Sequence, residues 1–370
     1  MLTERNSNTE AGISGNVVPV TPHRPSQVAE LRARLLDWFR REQRRLPWRG
    51  ARDSYAIWVS EIMLQQTRVA AVIDRYQAFL DRFPTVFALA SAAEADVLAQ
   101  WSGLGYYRRA RMLHRAAQLV LAEHQGQLPS TAVRLLTLPG IGKYTAAAIA
   151  SIAHDEPIAA IDGNVERVLQ RLRGWGSDDP AAQSALAHQI AAEARRLLEP
   201  AAPGDWNQAM MELGATLCLP CAPRCPECPL VAFCATRGEH PTPKRAPMRS
   251  QSAAYALVLR SRGIKQQILL VQRDASETVM PAMWELPQYT PPRAVENLPD
   301  QPLLQLRHAI MQVNYRVEVF DVAADSLPRD NRRHRWADAA AAACLPLTGL
   351  ARKALTRVGF LHTLPKNSFQ

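Results

Sequence analysis

The chain has 370 residues, a length that predicts two or three domains, and 47% of them are hydrophobic, which is enough for sizeable cores. Its 44 Lys and Arg residues against 34 Asp and Glu residues give a formal net charge of 44 − 34 = +10, typical of nucleic-acid binders but also of generic basic proteins. The first 25 residues contain no apolar export segment, and no run of about 18 apolar residues occurs in the sequence. We therefore expect a soluble, cytoplasmic chain without a membrane partner.

The first two thirds of the chain have a helical pattern. Residues 1–25 are polar and small and are predicted to be a disordered tail. From residue 25 to about 198 the sequence is rich in Ala, Leu, Arg and Glu, with short breaks at Gly and Pro, which predicts an all-helical part. Helices are predicted over residues 32–45, 55–67, 94–101, 109–124 and 144–154.

The pattern changes after residue 235. Residues 236–252 are rich in Pro, Lys and Arg, which is typical of a linker. Strands are then predicted over residues 254–259, 267–272 and 315–322, and a last helix over 339–355. The sequence thus predicts a mainly α domain at 26–235 and a separate α+β domain at 253–364.

Five of the six cysteines lie within residues 218–234. Four of them, Cys218, Cys225, Cys228 and Cys234, have the spacing C-x6-C-x2-C-x5-C, which in a reducing compartment indicates metal binding rather than disulfides. A zinc ribbon usually separates two knuckles by a dozen or more residues, so this compact loop favours a [4Fe–4S] cluster, with zinc as the alternative. Cys221 does not fit the spacing and is predicted not to be a ligand.

Such a site would not perform hydrolysis, because four cysteine ligands leave no open coordination position for a substrate. The loop carries Arg224 and precedes the basic linker. Its simplest role is to hold a basic loop against phosphates.

A glycine-containing turn, LPGIGKYTA at 138–146, stands between two predicted helices. Gly140 and Gly142 allow a sharp turn and a close approach of the backbone to a ligand. The helix that follows offers free N–H groups and the positive end of its dipole. The segment predicts a phosphate clamp, and the nearby cysteine loop favours this interpretation over a simple connecting turn.

Two acids stand in unusual surroundings. Glu61 lies on an otherwise apolar helix face, where a carboxyl has a raised pKa and can donate a proton at neutral pH; a partly exposed helix Glu is the alternative. Asp162 lies between an apolar stretch and Gly163, a position that also suits a plain helix N-cap.

Together these features resemble the adenine DNA glycosylases of the MutY family, over residues 31–234. The resemblance rests on LPWR at 46–49, SEIMLQQTRV at 60–69, GLGYYRRAR at 103–111, LPGIGKYTA at 138–146, DGNVERV at 162–168, NQAMMELGA at 207–215 and the cysteine loop. It implies a helix–hairpin–helix glycosylase fold with a [4Fe–4S] loop. The implied activity is that of a monomeric, monofunctional, nucleoid-associated repair enzyme that removes adenine mispaired with guanine or 8-oxoguanine from double-stranded DNA.

The resemblance also implies catalytic roles. Glu61 would protonate the adenine, which is otherwise a poor leaving group, and would later help to position water. Asp162 would stabilise the sugar cation that develops as the bond breaks, with Asn164 supporting it. Tyr144 falls where many family members have a catalytic tyrosine.

Substrate-binding residues follow from the same resemblance. The target base must leave the stacked duplex before its bond can be reached, and an aromatic wedge fits the gap that remains. The adenine pocket would be lined by Trp48, Arg49, Leu64 and Gln208. The gap would be filled by Gln66, Thr67 and Tyr106, which would also touch the opposing purine. Trp48 and Tyr106 are also compatible with ordinary core aromatics.

Residues 252–364 resemble the family's Nudix-like domain, which recognises 8-oxoguanine on the other strand. The likeness rests on ILLVQR at 268–273 and MWELP at 283–287. No RExxEE core follows Pro287, so phosphohydrolase activity is not expected. Where the family usually has a Phe-Ser-His loop this chain has Ile310, Met311 and Gln312, which predicts a weakened preference for 8-oxoguanine.

Two other functions remain open at this point. An endonuclease III-like glycosylase with lyase activity would need a lysine where this chain has Tyr144, and the adjacent Lys143 points about 100° away on a helix. A catalytically silent iron–sulfur protein that binds DNA or senses redox state would need neither Glu61 nor Asp162.

Overall fold

The computed structural model describes residues 23–176, 180–238, 247–289, 301–310, 312–324, 327 and 332–362, with the backbone alone at 180–183 and 289. Its contacts divide the chain into two compact units. The cysteine-loop unit comprises Met1–Glu42, Gly163–Leu197 and Ala209–Pro241. The hairpin unit comprises Gln43–Asp162, Leu198–Gln208 and Thr242–Gln370.

Helices form the first part of the chain as the sequence predicts. They are α1 (Pro25–Glu42), α2 (Ser54–Leu64), α3 (Val69–Arg82), α4 (Val86–Ala90), α5 (Glu94–Gln100), α6 (Arg108–Glu123), α7 (Ala132–Leu135), α8 (Lys143–His154), α9 (Gly163–Arg173), α10 (Pro180–Leu197) and α11 (Pro203–Thr216). Among the described residues, no helix is both long enough and apolar enough to span a membrane.

The core of the hairpin unit is built around α2. Asp53 caps this helix, because its carboxylate accepts hydrogen bonds from the N–H groups of Tyr55 and Ala56. Residues 55–63 are all buried, so α2 is surrounded by the core on every side. It packs against α8, which is buried along most of its length. Glu61 is therefore carried by a helix with almost no contact with solvent.

In the cysteine-loop unit, α1, α9 and α10 pack beside the cysteine loop. Arg32 of α1 donates to the main-chain oxygens of Leu197 and Arg196, which are left without helical partners at the end of α10. Glu193 of α10 accepts two hydrogen bonds from Arg196, at 2.6 and 2.8 Å. The loop itself contains two short 3₁₀ turns, Cys225–Glu227 and Val231–Phe233.

The described residues of the C-terminal part of the hairpin unit form two four-stranded sheets. The strands are β1 (Arg249–Leu257), β2 (Leu259–Arg262), β3 (Lys265–Gln272), β4 (Trp284–Glu285), β5 (Gln288–Tyr289), β6 (Leu304–Ile310), β7 (Val313–Asp321) and β8 (His334–Asp338). One sheet has the order β5-β1-β7-β6, with β1 and β7 parallel; in the other, β3 pairs with β2, β4 and β8. Helices α12 (Ala339–Ala343) and α13 (Gly349–Arg357) follow.

Most predicted elements are present with shifted ends, and one is wrong. Helix α1 begins at Pro25, a residue whose fixed backbone suits a first helical turn. The single helix predicted over 339–355 is two helices, because Pro346 interrupts the backbone and Thr348 caps a new helix through its hydroxyl. The predicted tail at 1–22 and the central part of the predicted linker, 239–246, lie outside the described residues.

Candidate active site

The catalytic candidates meet where α2 faces the start of α8. Glu61 is 6% exposed, and its Oε2 accepts a hydrogen bond of 2.7 Å from the hydroxyl of Tyr144, the second residue of α8. Burial, followed by the charge of Glu61, raises the pKa of Tyr144 well above its ordinary value, so this hydroxyl keeps its proton. Tyr144 is consequently a donor to Glu61.

Glu61 has the electrostatics of a proton donor. Burial raises its pKa from the ordinary 4.5 to about 7, and the nearby carboxylate of Asp162 adds to the increase. The hydrogen bond from Tyr144 and the positive charge of Arg49 act in the opposite direction. With these opposing influences the pKa lies near neutral pH, so this carboxyl can carry a proton there.

Arg49 and Gln208 form the second side of this site. The Arg49 Nη1 donates a hydrogen bond of 2.6 Å to Oε1 of Gln208. The amide nitrogen of Gln208 in turn donates to the main-chain oxygen of Gly204, one turn earlier in α11. Since Arg49 also influences the pKa values of Glu61 and Tyr144, its guanidinium lies close to both.

Asp162 is the last residue of an extended segment that Asn207 holds in place. Asn207 is 2% exposed, and its Oδ1 accepts from the N–H of Ala160 at 3.0 Å. Its Nδ2 donates to the oxygen of Ile158 and to the hydroxyl of Ser151, each at 2.8 Å. These bonds fix the segment that ends at Asp162, directly before α9.

Asn164 belongs to the cysteine-loop unit. Its Oδ1 accepts a 2.9 Å hydrogen bond from Arg167, which also donates to the main-chain oxygens of Gly214 and Cys218. A Cβ at Gly214 would lie 2.6 Å from the Cβ of Asn164, so α11 approaches α9 this closely only with glycine there.

The two glycines of the 138–142 turn differ in whether the structure requires glycine at their positions. Gly140 has φ +78°, and a Cβ there would lie 2.6 Å from that of Met112, so both conformation and space require glycine. Gly142 is exposed, with nothing within 4 Å of an added Cβ. The bare start of α8 at Gly142 and Lys143 is therefore open to a ligand.

The predicted gap-filling residues lie on two short segments with strained backbone. Gln66 and Tyr106 have φ +54° and +47°, a left-handed conformation that costs a non-glycine residue roughly 1–2 kcal/mol. Gln66 is exposed and Tyr106 is 52% exposed, so Tyr106 is not a core aromatic. Thr67 connects the two segments, since its hydroxyl donates to the main-chain oxygen of Leu104 at 3.2 Å.

Four thiols of the cysteine loop are close enough to influence one another's pKa. Burial raises the pKa of Cys225, and that of Cys228 to about 11, and the neighbouring Cys218 and Cys234 thiols add to both increases. Cys221 is exposed. Within the described residues no group of three or more His, Cys, Asp or Glu side chains is arranged to hold a metal ion. Cys218, Cys225, Cys228 and Cys234 nevertheless place four thiols in one loop, which is the donor set that a [4Fe–4S] cluster takes.

Arg171 of α9 supports the same loop. It is 2% exposed and donates to the sulfur of Cys218 at 3.5 Å and to the main-chain oxygen of Pro220 at 2.9 Å. Cys234 donates to the main-chain oxygen of Arg171 at 3.3 Å. Arg224, the predicted phosphate contact, forms an exposed ion pair with Glu227, a pair that contributes little to stability and is open to competition from a phosphate.

Comparison with known proteins identifies the family. The model of the HhH-GPD superfamily base excision DNA repair protein matches residues 59–192. An adenine DNA glycosylase of Rattus norvegicus is 48% identical over 229 residues, covering 58% of this chain and 44% of that protein. An adenine DNA glycosylase of Mycolicibacterium smegmatis is 38% identical over 271 residues, covering 71% of this chain and 89% of that protein. This chain belongs to the adenine DNA glycosylase family.

The fold agrees with a solved relative. The structure of a thermostable thymine-DNA glycosylase matches with a TM-score of 0.52 and 26% identity, covering 57% of this chain and 97% of that chain. This chain spans about half the length of the mammalian adenine DNA glycosylases that it matches.

In this member of the adenine DNA glycosylase family, Glu61, Tyr144, Asp162, Arg49 and Gln208 come together in one place. Two other predicted pocket residues pack against the core of the hairpin unit. Trp48 is 8% exposed, with its ring 5.4 Å from that of Tyr76, and Leu64 packs against the core from the end of α2.

Two residues of this site were missed by sequence reasoning. Asn207 orders the segment before Asp162, and Arg109 joins the two segments that carry Gln66 and Tyr106. Both lie inside motifs quoted for the family resemblance. Asn207 is one of several polar residues in α11, so no local signal in the sequence distinguished it.

In the C-terminal part of this family member, the acid of the MWELP segment at 283–287 is buried and paired. Glu285 is 3% exposed and accepts a 2.8 Å hydrogen bond from Arg273, which also pairs with Glu277. Residue Ile310 ends β6 and pairs with Val313, the first residue of β7. Met311 lies outside the described residues.

Proposed function

We propose that this chain is a monofunctional DNA glycosylase that removes adenine mispaired with guanine or 8-oxoguanine from double-stranded DNA. The observation that carries the proposal is Glu61, a buried carboxyl with a pKa of about 7 beside Asp162. An acid that is protonated at neutral pH can donate to adenine, and an adjacent carboxylate can stabilise the positive sugar that results. Neither is needed by a protein that only binds DNA.

The neighbours of Glu61 suit this chemistry. The Tyr144 hydroxyl holds the carboxyl in one orientation, so its other oxygen can face the base. Arg49 and Gln208, joined by their own hydrogen bond, offer polar atoms at the same site for recognition of the adenine edge. Tyr106 and Gln66 are exposed on their two segments and can fill the gap that an extruded base leaves.

Two further parts would hold the duplex. The open start of α8 after Gly140 and Gly142 can bind a phosphate through backbone N–H groups. Cys218, Cys225, Cys228 and Cys234 would hold a [4Fe–4S] cluster, and the cluster would order the loop that carries Arg224. The domain boundaries that we propose are 26–235 for the glycosylase domain and 253–364 for a Nudix-like recognition domain.

Incubation with duplexes that contain adenine opposite guanine or 8-oxoguanine tests the proposal. We expect adenine release from both, and strand cleavage only after alkali treatment, because Tyr144 stands where a lyase needs a lysine. Borohydride trapping of a covalent enzyme–DNA adduct would favour the lyase, and no release of any base would favour the silent DNA-binding protein.

The sequence at residues 310–312 leads to a second expectation. If Ile310, Met311 and Gln312 occupy the lesion-recognising position, hydrogen bonds specific to 8-oxoguanine are weakened. One or two such bonds, at roughly 0.5–1.5 kcal/mol each, correspond to on the order of tenfold discrimination. Installing Met311→Ser and Gln312→His should therefore raise the ratio of single-turnover rates for 8-oxoguanine over guanine about tenfold. An unchanged ratio, already large in the native protein, would show that other residues recognise the lesion.

A further inference from the structure

Arg109, the second residue of α6, has a mostly buried guanidinium whose hydrogen bonds fan out to two separate parts of the backbone. Its Nη1 donates to the main-chain oxygens of Ile62, Met63 and Gln65. Its Nη2 donates to the Thr67 hydroxyl and to the main-chain oxygens of Leu104 and Gly105. Within the described residues no carboxylate pairs with it, and burial lowers its pKa to about 10. A buried guanidinium whose hydrogen bonds go mainly to main-chain oxygens holds the backbone segments that carry those oxygens in fixed positions.

The Nη1 bonds are made to the end of the helix that carries Glu61. The last carbonyl groups of a helix have no partner within it, and Arg109 takes those of Ile62 and Met63. They are the two residues that directly follow Glu61. The orientation of the acid is therefore tied to the position of this guanidinium.

The remaining bonds reach the residues next to the two gap-filling side chains. Gln65 precedes Gln66, and Gly105 precedes Tyr106, and the oxygens of both Gln65 and Gly105 accept from Arg109. Left-handed backbone at non-glycine residues such as these two persists where surrounding structure determines it. The Cζ atom of Arg109 also lies over the Tyr106 ring, 5.5 Å from its centre, and over the Trp101 ring, 5.4 Å from its centre.

We propose that Arg109 is the positioning residue that holds both gap-filling segments in fixed relation to Glu61, so that filling the duplex gap places the extruded base at the acid. The proposal rests on the proposed function and adds to it a residue that need not touch DNA. A planar guanidinium has donors in fixed directions on its two terminal nitrogens, whereas a lysine has one nitrogen and cannot serve both sets of acceptors.

Arg109→Lys tests this proposal because it keeps the positive charge but removes the hydrogen bonds that Nη1 and Nη2 make to the two segments. A misplacement of reacting groups by about 1 Å costs on the order of 100-fold in rate. We expect the variant to lose this much in the rate of release of an adenine that is stacked in a duplex. A fluorescent 2-aminopurine at the target position should show reduced unstacking on binding. An adenine already unstacked in a bulge should recover much of the rate, and the midpoint of the pH–rate profile should stay near that of the wild type. Arg115→Lys, at an exposed position on the same helix, should change none of these values.

Normal unstacking in Arg109→Lys would overturn the proposal, and so would an equal loss of rate on stacked and bulged adenine, because that pattern indicates general damage to the fold. If the lysine variant fails to fold by circular dichroism, Arg109→Gln, which retains an amide donor, gives the same comparison. The unstacking signal does not require base removal. If the wild type had no glycosylase activity, the proposed function would be contradicted, but the comparison of unstacking between the wild type and Arg109→Lys would still test the role of Arg109.

Discussion

Replacing Glu61 by glutamine is expected to lower the single-turnover rate of adenine release by roughly 10²- to 10⁴-fold, the range that a positioned general acid contributes. Glutamine has nearly the same shape and can still accept the hydrogen bond from Tyr144, but it has no acidic proton to transfer to the base. Affinity for the mismatched duplex should stay within a few-fold of the wild type, because no phosphate contact is removed. Retention of a near-normal rate would exclude the acid role.

The pH dependence of the wild type provides an independent measurement. Glu61 donates only while it is protonated, and its pKa is about 7, so the rate should be high below pH 7 and fall above it. Asp162 adds to the raised pKa of Glu61. Asp162→Asn should therefore move the midpoint to lower pH, besides slowing the reaction through loss of the charge that stabilises the sugar cation.

Stability provides the control for Glu61→Gln. The folded protein holds the Glu61 proton more tightly than the unfolded chain does, so stability is lost as pH rises from about 4.5 to about 7. This difference corresponds to on the order of 3 kcal/mol above pH 7. A neutral glutamine avoids that loss, so the variant should unfold at a higher temperature than the wild type at pH 8 and show no such advantage at pH 4. A lower unfolding temperature at pH 8 would indicate damage to the fold.

The catalytic candidates of the site could be predicted from the sequence, whereas the residue that positions them could not. Glu61 stands out in the sequence because a carboxyl among apolar helix neighbours violates the hydrophobic pattern, and Tyr144 and Asp162 follow from motif positions. Arg109 does not stand out, since one arginine among several in GLGYYRRAR has no local feature that indicates a buried side chain. Its bonds join residues 62–67 to residues 104–105, which only the folded chain brings together.

In the fold, too, local elements could be predicted from the sequence and long-range pairings could not. Helices α2, α6 and α8 are long and apolar enough for their pattern to predict them, whereas β4 and β5 have two residues each and gain their pairing from neighbours. The parallel pairing of β1 with β7 joins residues about 60 positions apart, and hydrophobic periodicity contains no information on such a pairing. Pro346 indicates the break between α12 and α13, but the Ala- and Leu-rich composition around it led to the prediction of one continuous helix.

Replacing Cys225 by serine is expected to remove iron from the purified protein, whereas Cys221→Ser should leave it in place. We expect the wild type to be yellow-brown and to contain about four irons per chain, because four thiolates in a compact loop suit a cubane cluster. Cys225 lies among the thiols of Cys218, Cys228 and Cys234, while Cys221 is exposed in the same loop. Iron and sulfide analysis with visible absorption spectra measures both variants, and the exposed Cys344, replaced by serine, is a second control.

Comparing two cysteines of one loop separates ligation from the general loss of a thiol. Equal iron loss in both variants would contradict the ligand assignment, and one zinc without iron in the wild type would contradict the cluster itself. Loss of the cluster should also weaken duplex binding and reduce its salt dependence, since a disordered loop no longer presents Arg224 to a phosphate. The residual rate should keep its pH midpoint near 7, because Glu61 and the neighbours that set its pKa all belong to the hairpin unit. A midpoint that moved with the iron content would show that the loop acts on the acid and not on DNA alone.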